Sequence, residues 1–101
     1  METKTVPEAY DVLAPDDSEI RLLVSGERGS MAHCTLPPGQ VSLAVRHRTV
    51  EELWYCLEGR GEVWRSRDGR EETVDFVPGV RLDIPLGAHF QFRAVGQAPL
   101  R

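Results

Sequence analysis

The chain has 101 residues and a mass of 11.3 kDa, enough for one hydrophobic core and therefore one domain. Its 41% hydrophobic and 28% charged residues are typical of a protein that folds in water, and its net charge of −4 comes from interleaved acids and bases. Interleaved charges leave no basic face for a phosphate backbone, and no window reaches the roughly 18 apolar residues of a membrane span. These features argue against nucleic-acid and membrane partners and predict a cytoplasmic protein.

Residues 1–18 are polar and interrupted by prolines, so we expect an N-terminal arm lying on a barrel domain of residues 19–101. From residue 19 onward, glycine and proline interrupt the apolar segments at intervals too short for helices. These segments are rich in the β-branched and aromatic residues that strands favour. The predicted strands span residues 19–24, 31–36, 41–47, 53–58, 62–67, 71–77, 80–84 and 89–95.

Many short strands separated by turn residues, without a sustained helical period, predict an all-β sandwich or barrel. Asp68-Gly69 separates the strands predicted at 62–67 and 71–77, and this dipeptide adopts positive φ easily. We therefore expect these two strands to form an antiparallel hairpin.

One set of residues follows the spacing of a known pattern. Gly39, Val45, His47, Glu52 and Gly59 stand at the intervals of the first cupin motif, G(X)5HXH(X)3-4E(X)6G. The chain therefore resembles the cupin superfamily, whose metal sites usually take two histidines and a glutamate from this motif.

The second cupin motif is echoed by Pro85, Gly87 and His89. With it, the resemblance covers about residues 31–97 and implies a jelly-roll β-barrel of eight or more short antiparallel strands. It also implies a site for a divalent metal ion, to which the second motif adds one histidine.

The chain departs from the metal-binding pattern at two places. Val45 occupies the position of the first histidine, and strict alignment of the second motif puts Phe90 at the last ligand position, with His89 one residue early. A one-residue offset turns a strand side chain to the opposite face, so His89 binds only if a turn or bulge re-aims it. The candidate metal ligands are His47, Glu52 and His89.

Strand alternation places Glu52 and Trp54 on one face, and Val45 and His47 on one face of the preceding strand. If both faces point into the barrel, His47 and Glu52 converge. Two interpretations stay open: a metal held by two histidines and one carboxylate, or a metal-free hydrogen-bonded pair. The predicted pocket-lining residues are Val45, Trp54, Cys56, Phe90 and Phe92.

Cys34 and Cys56 lack CxxC spacing, so we expect two reduced thiols, with Cys56 buried and unreactive. His33 alternates with Cys34 along a strand, so these two side chains cannot form a nucleophile and base pair. We expect His33 to be a hydrogen-bonded or surface residue.

Three functions stay open. The first is a small stand-alone cupin that binds a small molecule in the barrel, with a divalent metal. The second is a metal-dependent enzyme of isomerase or dioxygenase type that acts on a small organic acid, sugar or aromatic compound. The third is a cupin without metal or catalysis, which a barrel filled by aromatic side chains favours.

Residues 98–101, APLR, begin another apolar segment at the end of the chain. Such a segment is too short to close a jelly roll, so we expect an exposed sheet edge. Small cupins commonly dimerise by sheet extension, and a partner's N-terminal arm would cover that edge. We therefore expect a homodimer.

Overall fold

The computed structural model describes all 101 residues and contains nine β-strands and no helix. The all-β prediction is confirmed, and each of the eight predicted segments overlaps a strand, while the ninth strand, Val12–Leu13, lies within the segment predicted as an N-terminal arm. The strands, in chain order, are β1 (Val12–Leu13), β2 (Glu19–Ser25), β3 (Ser30–Thr35), β4 (Val45–Arg46), β5 (Glu52–Tyr55), β6 (Gly61–Arg67), β7 (Arg70–Phe76), β8 (Arg81–Ile84) and β9 (His89–Ala94).

The strands form three antiparallel sheets, in the orders β1-β2-β3, β5-β8 and β4-β9-β6-β7. Leu100 pairs with Leu36, just after β3, and Arg101 exchanges backbone hydrogen bonds with Glu58, just after β5. Residues 100–101 thereby join the first two sheets into one layer of the sandwich. The expectation that this segment leaves an open edge is wrong, because both of its sides are hydrogen-bonded.

The hairpin predicted at Asp68-Gly69 is confirmed. Both residues have positive φ, 53° and 78°, and β6 pairs with β7 in continuous register from Arg67 and Arg70 inward. Positive φ at both central residues is the geometry that matches the twist of the flanking strands.

The strand predicted at 41–47 is shorter than expected, because only Val45–Arg46 forms a ladder. Ser42 replaces part of the missing ladder. Its backbone N–H donates to the carbonyl of Phe92, and its Oγ accepts from the N–H of Phe92 at 3.0 Å. A side-chain oxygen thus takes the role of a backbone carbonyl, which satisfies the same donor without a regular strand.

The core lies between the two layers, and cross-strand pairing orders its inner face into rows. Val45, Phe90 and Arg65 form one row, at the end that we call the mouth. Ala94 and Gly61 form the row at the opposite end, which we call the closed end. The buried apolar residues are Leu36, Cys56, Val63, Phe76, Ile84, Ala88, Phe90, Phe92, Ala94 and Leu100.

The N-terminal residues contact the outer face of β2. Arg21 is buried there and donates hydrogen bonds to the carbonyls of Pro7 and Glu8, and to the hydroxyl of Thr35. Asp11 accepts from the backbone N–H of Leu22 at 2.8 Å. A buried guanidinium needs such acceptors, so residues 7–11 are tied to the sheet. The structure has no helix with the length and hydropathy needed to span a membrane.

Candidate ligand site at the barrel mouth

His47 and Glu52 meet at the mouth. His47 directly follows β4, where its carbonyl accepts from the N–H of Gly87, and Glu52 opens β5 opposite Ile84. Their side chains form a hydrogen bond of 2.7 Å between Nε2 and Oε1. The side chains are 27% and 39% exposed, so a molecule in solution can reach both. The convergence predicted from strand alternation is thus present.

An aromatic cluster lies beneath this pair. The ring of His47 is 5.2 Å from that of Phe90. Trp54 packs edge-on against Phe90, Phe92 and Phe76, with centroids 5.5, 5.0 and 6.1 Å apart. Edge-to-face packing at these distances is the favoured arrangement of aromatic rings. The mouth therefore has a polar rim above an apolar floor.

His89 does not join the pair. It pairs with Arg46 in the ladder between β4 and β9, while its neighbour Phe90 pairs with Val45 and is buried. Because successive strand residues face opposite sides, His89 lies exposed on the outer face. No bulge interrupts the ladder there, so the inward turn that a third ligand requires is not made.

The donors at the mouth do not fit the metal site that the cupin resemblance implies. His47 and Glu52 are bonded directly to each other, and the two other motif positions hold the carbon side chains of Val45 and Phe90. No group of three or more histidine, cysteine or acidic residues is arranged to hold a metal ion. We therefore derive no step that uses a metal.

The five predicted pocket-lining residues all face inward, but they pack as core. Cys56, Phe90 and Phe92 are buried members of the apolar cluster, and Val45 and Trp54 pack against it. The surface also has two cavities, and the larger one includes Arg65 of the mouth row and Asp83 in its lining. One of about 90 Å³ lies beside Trp64, Gln91 and their neighbours, and one of about 320 Å³ lies beside the β6–β7 hairpin.

Arg65 is an inward-facing residue that no sequence motif marks. Its guanidinium donates to the backbone carbonyl of Asp83 at 2.9 Å and to the carboxylate of Glu72. The hydrogen bond to Asp83 connects the two layers beside the mouth. Its Nε is buried without a hydrogen-bond partner. The alternation of side chains along a strand could have indicated this orientation, because Arg65 follows buried Val63 by two residues and therefore lies on the same strand face.

Burial controls the titration of three other residues. It raises the pKa of the Cys56 thiol, and it raises that of Cys34 to about 11. Both thiols are free, as expected. Burial, reinforced by Arg21 and Arg101, lowers the pKa of His33. The Nδ1 of His33 is buried without a partner, in contrast to the hydrogen-bonded or surface residue that we expected.

Comparison with known proteins identifies the family to which this architecture is similar. Residues 32–101 match the sequence model of the cupin domain family. The uncharacterized protein MJ1618 of Methanocaldococcus jannaschii is 30% identical over 107 residues, which cover 97% of this chain and 82% of that protein.

Several solved structures share the fold. Drosophila melanogaster CENP-C bound to CAL1 superimposes with a TM-score of 0.76 and 14% identity, over 90% of this chain and 72% of that one. A predicted oxalate decarboxylase of Thermotoga maritima gives 0.67 and 24% identity, over 82% of this chain and 73% of that one.

Proposed function

This chain belongs to the cupin domain family, and we propose that it binds a small molecule at the barrel mouth through His47 and Glu52, without a resident metal ion. The observation that carries the proposal is the 2.7 Å hydrogen bond between two partly exposed side chains above an aromatic floor. Polar groups that converge over an apolar surface are typical of ligand sites.

The chemistry of the pair limits what it can bind. The carboxylate of Glu52 accepts hydrogen bonds. Because Nε2 of His47 donates its hydrogen to that carboxylate, Nδ1 of the neutral ring is a hydrogen-bond acceptor. A ligand with a hydroxyl or carboxyl group next to a ring or alkyl portion matches this rim and the floor of Phe90 and Trp54. Because aromatic side chains fill the interior, the ligand lies at the mouth and not deep in the barrel.

The structural relatives do not narrow the activity further. One is a predicted oxalate decarboxylase and another is bound to a protein, CAL1, and both share less than 25% identity with this chain. Likeness at this level supports a common fold, while the function depends on the residues of the site. The metal-dependent enzyme considered from the sequence has only two of its donors here.

The second candidate is a cupin without ligand or catalysis. It is favoured by the packing of Trp54 against three phenylalanines, which fills this part of the core with aromatic side chains. Under this alternative the His47–Glu52 bond has only a structural role.

A fragment screen by saturation-transfer NMR separates the two candidates. The set contains organic acids, sugars and aromatic compounds, and each binder is repeated on His47→Ala and Glu52→Ala. The proposal expects binders that both variants lose and that the outer-face control Arg46→Ala retains. If no fragment binds, or if every binder is indifferent to both variants, the ligand-free alternative replaces the proposal.

Metal binding is tested by a separate titration. Mn²⁺, Ni²⁺ and Zn²⁺ chlorides are titrated calorimetrically into the wild type, His47→Ala and His89→Ala. We expect no stoichiometric high-affinity binding, because two donors joined to each other make a weak site. Tight one-to-one binding that is lost in His47→Ala would contradict the metal-free proposal.

We also propose that the protein is a homodimer. Support comes from the exposed apolar residues Leu53 and Tyr55, which lie two residues apart on one face of β5. Large exposed apolar patches are typical of interaction sites in folded proteins.

A further inference from the structure

The outer face of β5 is unusually apolar for a strand that faces solvent. Glu52, Trp54 and Cys56 alternate toward the interior, which leaves Leu53, Tyr55 and the following Leu57 outside. Leu53 is 86% exposed and Tyr55 is 59% exposed. Nothing in the same chain covers them, although residues 7–11 cover the outer face of β2 in the same layer.

The opposite layer shows what an ordinary solvent face looks like. The outward residues of β7 include Glu71, Thr73 and Asp75, and Arg93 pairs with Glu62 across the neighbouring strands. An antiparallel sheet with one face in water normally alternates in this way. The β5 face lacks that polar alternation, so burial of its leucines and tyrosine by association is favourable.

We propose that the outer face of β5 and β8 packs against the same face of a second copy of this chain. This inference rests on the proposed homodimer and names its interface. It does not depend on ligand binding, because Leu53 and Tyr55 lie on the face of β5 opposite to that of Glu52.

The register of the two strands makes this face complementary to itself. Leu53 lies opposite Asp83, and Tyr55 lies opposite Arg81, with Trp54 at the level between them. Consider a two-fold axis in the interface, perpendicular to the strands at the level of Trp54. It places Leu53 over the partner copy's tyrosine and Asp83 over the partner copy's arginine, and the reverse contacts follow by symmetry.

This arrangement differs from dimerisation through sheet extension. The N-terminal arm is bound within its own chain, because Arg21 donates hydrogen bonds to the carbonyls of Pro7 and Glu8. Residues 100–101 are already hydrogen-bonded on both sides. The β5–β8 face joins two sandwiches face to face and requires neither segment to be exchanged. Its second copy supplies both the apolar cover and the opposite charges, so the occupant is this chain itself.

Sedimentation velocity of charge-swapped variants tests the interface. Asp83→Arg gives a face with two arginines, and Arg81→Asp gives a face with two aspartates. We expect a dimeric wild type, dimerisation at least about 100-fold weaker in either variant because like charges meet, and recovery of dimer in an equimolar mixture of the two. Asp75→Arg makes the same charge change on the outer face of β7 and is expected to leave the dimer intact.

Each other result overturns a defined part of the inference. A monomeric wild type rejects the homodimer and this interface together. A dimeric wild type whose swapped variants also stay dimeric rejects this face and leaves the homodimer standing. Swapped variants that stay monomeric when mixed reject the proposed register.

Because Asp83 also lies 3.4 Å from Arg65, melting temperatures check the fold of each variant. Leu53→Ser alters the same face at an exposed position without that contact, and we expect it to weaken the dimer with an unchanged fold. A full-strength dimer of Leu53→Ser also rejects the interface.

Discussion

The two ends of the barrel differ in what their residues do. At the closed end the backbone of Pro99 and Leu100 approaches Gly59, and the Arg93 carbonyl and the Leu100 side chain approach Gly61, so closely that neither glycine has room for a side chain. At the mouth, the corresponding space is occupied by side chains, with a polar pair left partly exposed above Phe90. Close backbone packing leaves no room for a ligand, whereas partly exposed polar groups are free to bind one. The closed end is therefore suited to stability and the mouth to binding.

The largest effect is expected at the boundary between the mouth and the core. Phe90→Ala removes a buried ring that contacts both His47 and Trp54, and we expect a loss of about 3 to 5 kcal/mol in the free energy of unfolding. Urea denaturation measures this loss. His89→Ala, at the next residue but on the outer face, is the control and should change stability little. Equal effects of the two substitutions would mean that Phe90 does not face the core and His89 does not face solvent.

Three glycine substitutions separate two costs of adding a side chain, which are steric overlap and a backbone conformation with positive φ. Gly59 has a φ of +84°, and an added Cβ would overlap the Pro99 carbonyl, so Gly59→Ala should cost about 2 to 5 kcal/mol. Gly61→Ala tests overlap alone, with the carbonyl of Arg93 and the side chain of Leu100. Gly69→Ala tests backbone conformation alone, since its φ is +78° and nothing lies near its Cβ.

Thermal and urea unfolding rank the three glycine variants. We expect Gly59→Ala to be the least stable, because it combines both penalties, and Gly69→Ala to lose only about 1 to 2 kcal/mol. If Gly59→Ala were no worse than Gly69→Ala, close approach of the chain at the closed end would be refuted.

A smaller stability effect is expected at the mouth. Glu52→Ala removes the hydrogen bond to His47, but both side chains are partly exposed, so water replaces the lost partner. We expect a change of less than about 1 kcal/mol in unfolding free energy, together with loss of fragment binding. Urea denaturation and the NMR screen on the same variant check this separation. A large stability loss with unchanged binding would reverse the roles assigned to the two ends.

The smallest effect concerns pH. The pKa of His33 in the folded protein lies below its usual value of 6.5, because burial and the charges of Arg21 and Arg101 outweigh Glu58. Its unfolded form therefore gains a proton first as pH falls. The stabilising contribution is fully present above pH 6.5 and is lost as pH falls through the folded pKa.

Urea unfolding between neutral and mildly acidic pH measures this contribution. We expect His33→Asn to lose less stability than the wild type as pH falls. The exposed histidine variant His89→Asn should keep the wild-type dependence. A His33→Asn protein with an unchanged pH dependence would exclude His33 as the source.

The alternation of side chains along a strand explains both the success and the failure of the predicted set His47, Glu52 and His89. Counting alternate residues from Val45 and from Glu52 correctly brought His47 and Glu52 together, although β4 ends at Arg46 and His47 directly follows it. The same counting indicated that His89 faces outward unless the chain bends, and the ladder with β4 stays regular there. Arg65 went unnoticed because no motif marks it, although its parity with Val63 pointed inward.

The sequence by itself indicated eight of the nine strands, the turn at Asp68-Gly69 and the spacing of His47 and Glu52, because these follow from local backbone preference and the two-residue period of a strand. Tertiary structure decided the rest. The pairing of Leu100 with Leu36, the bridge from Arg65 to Asp83 and the exposure of Leu53 depend on which distant strands become neighbours. Such contacts arise from packing between segments far apart in the chain, and no local pattern encodes them.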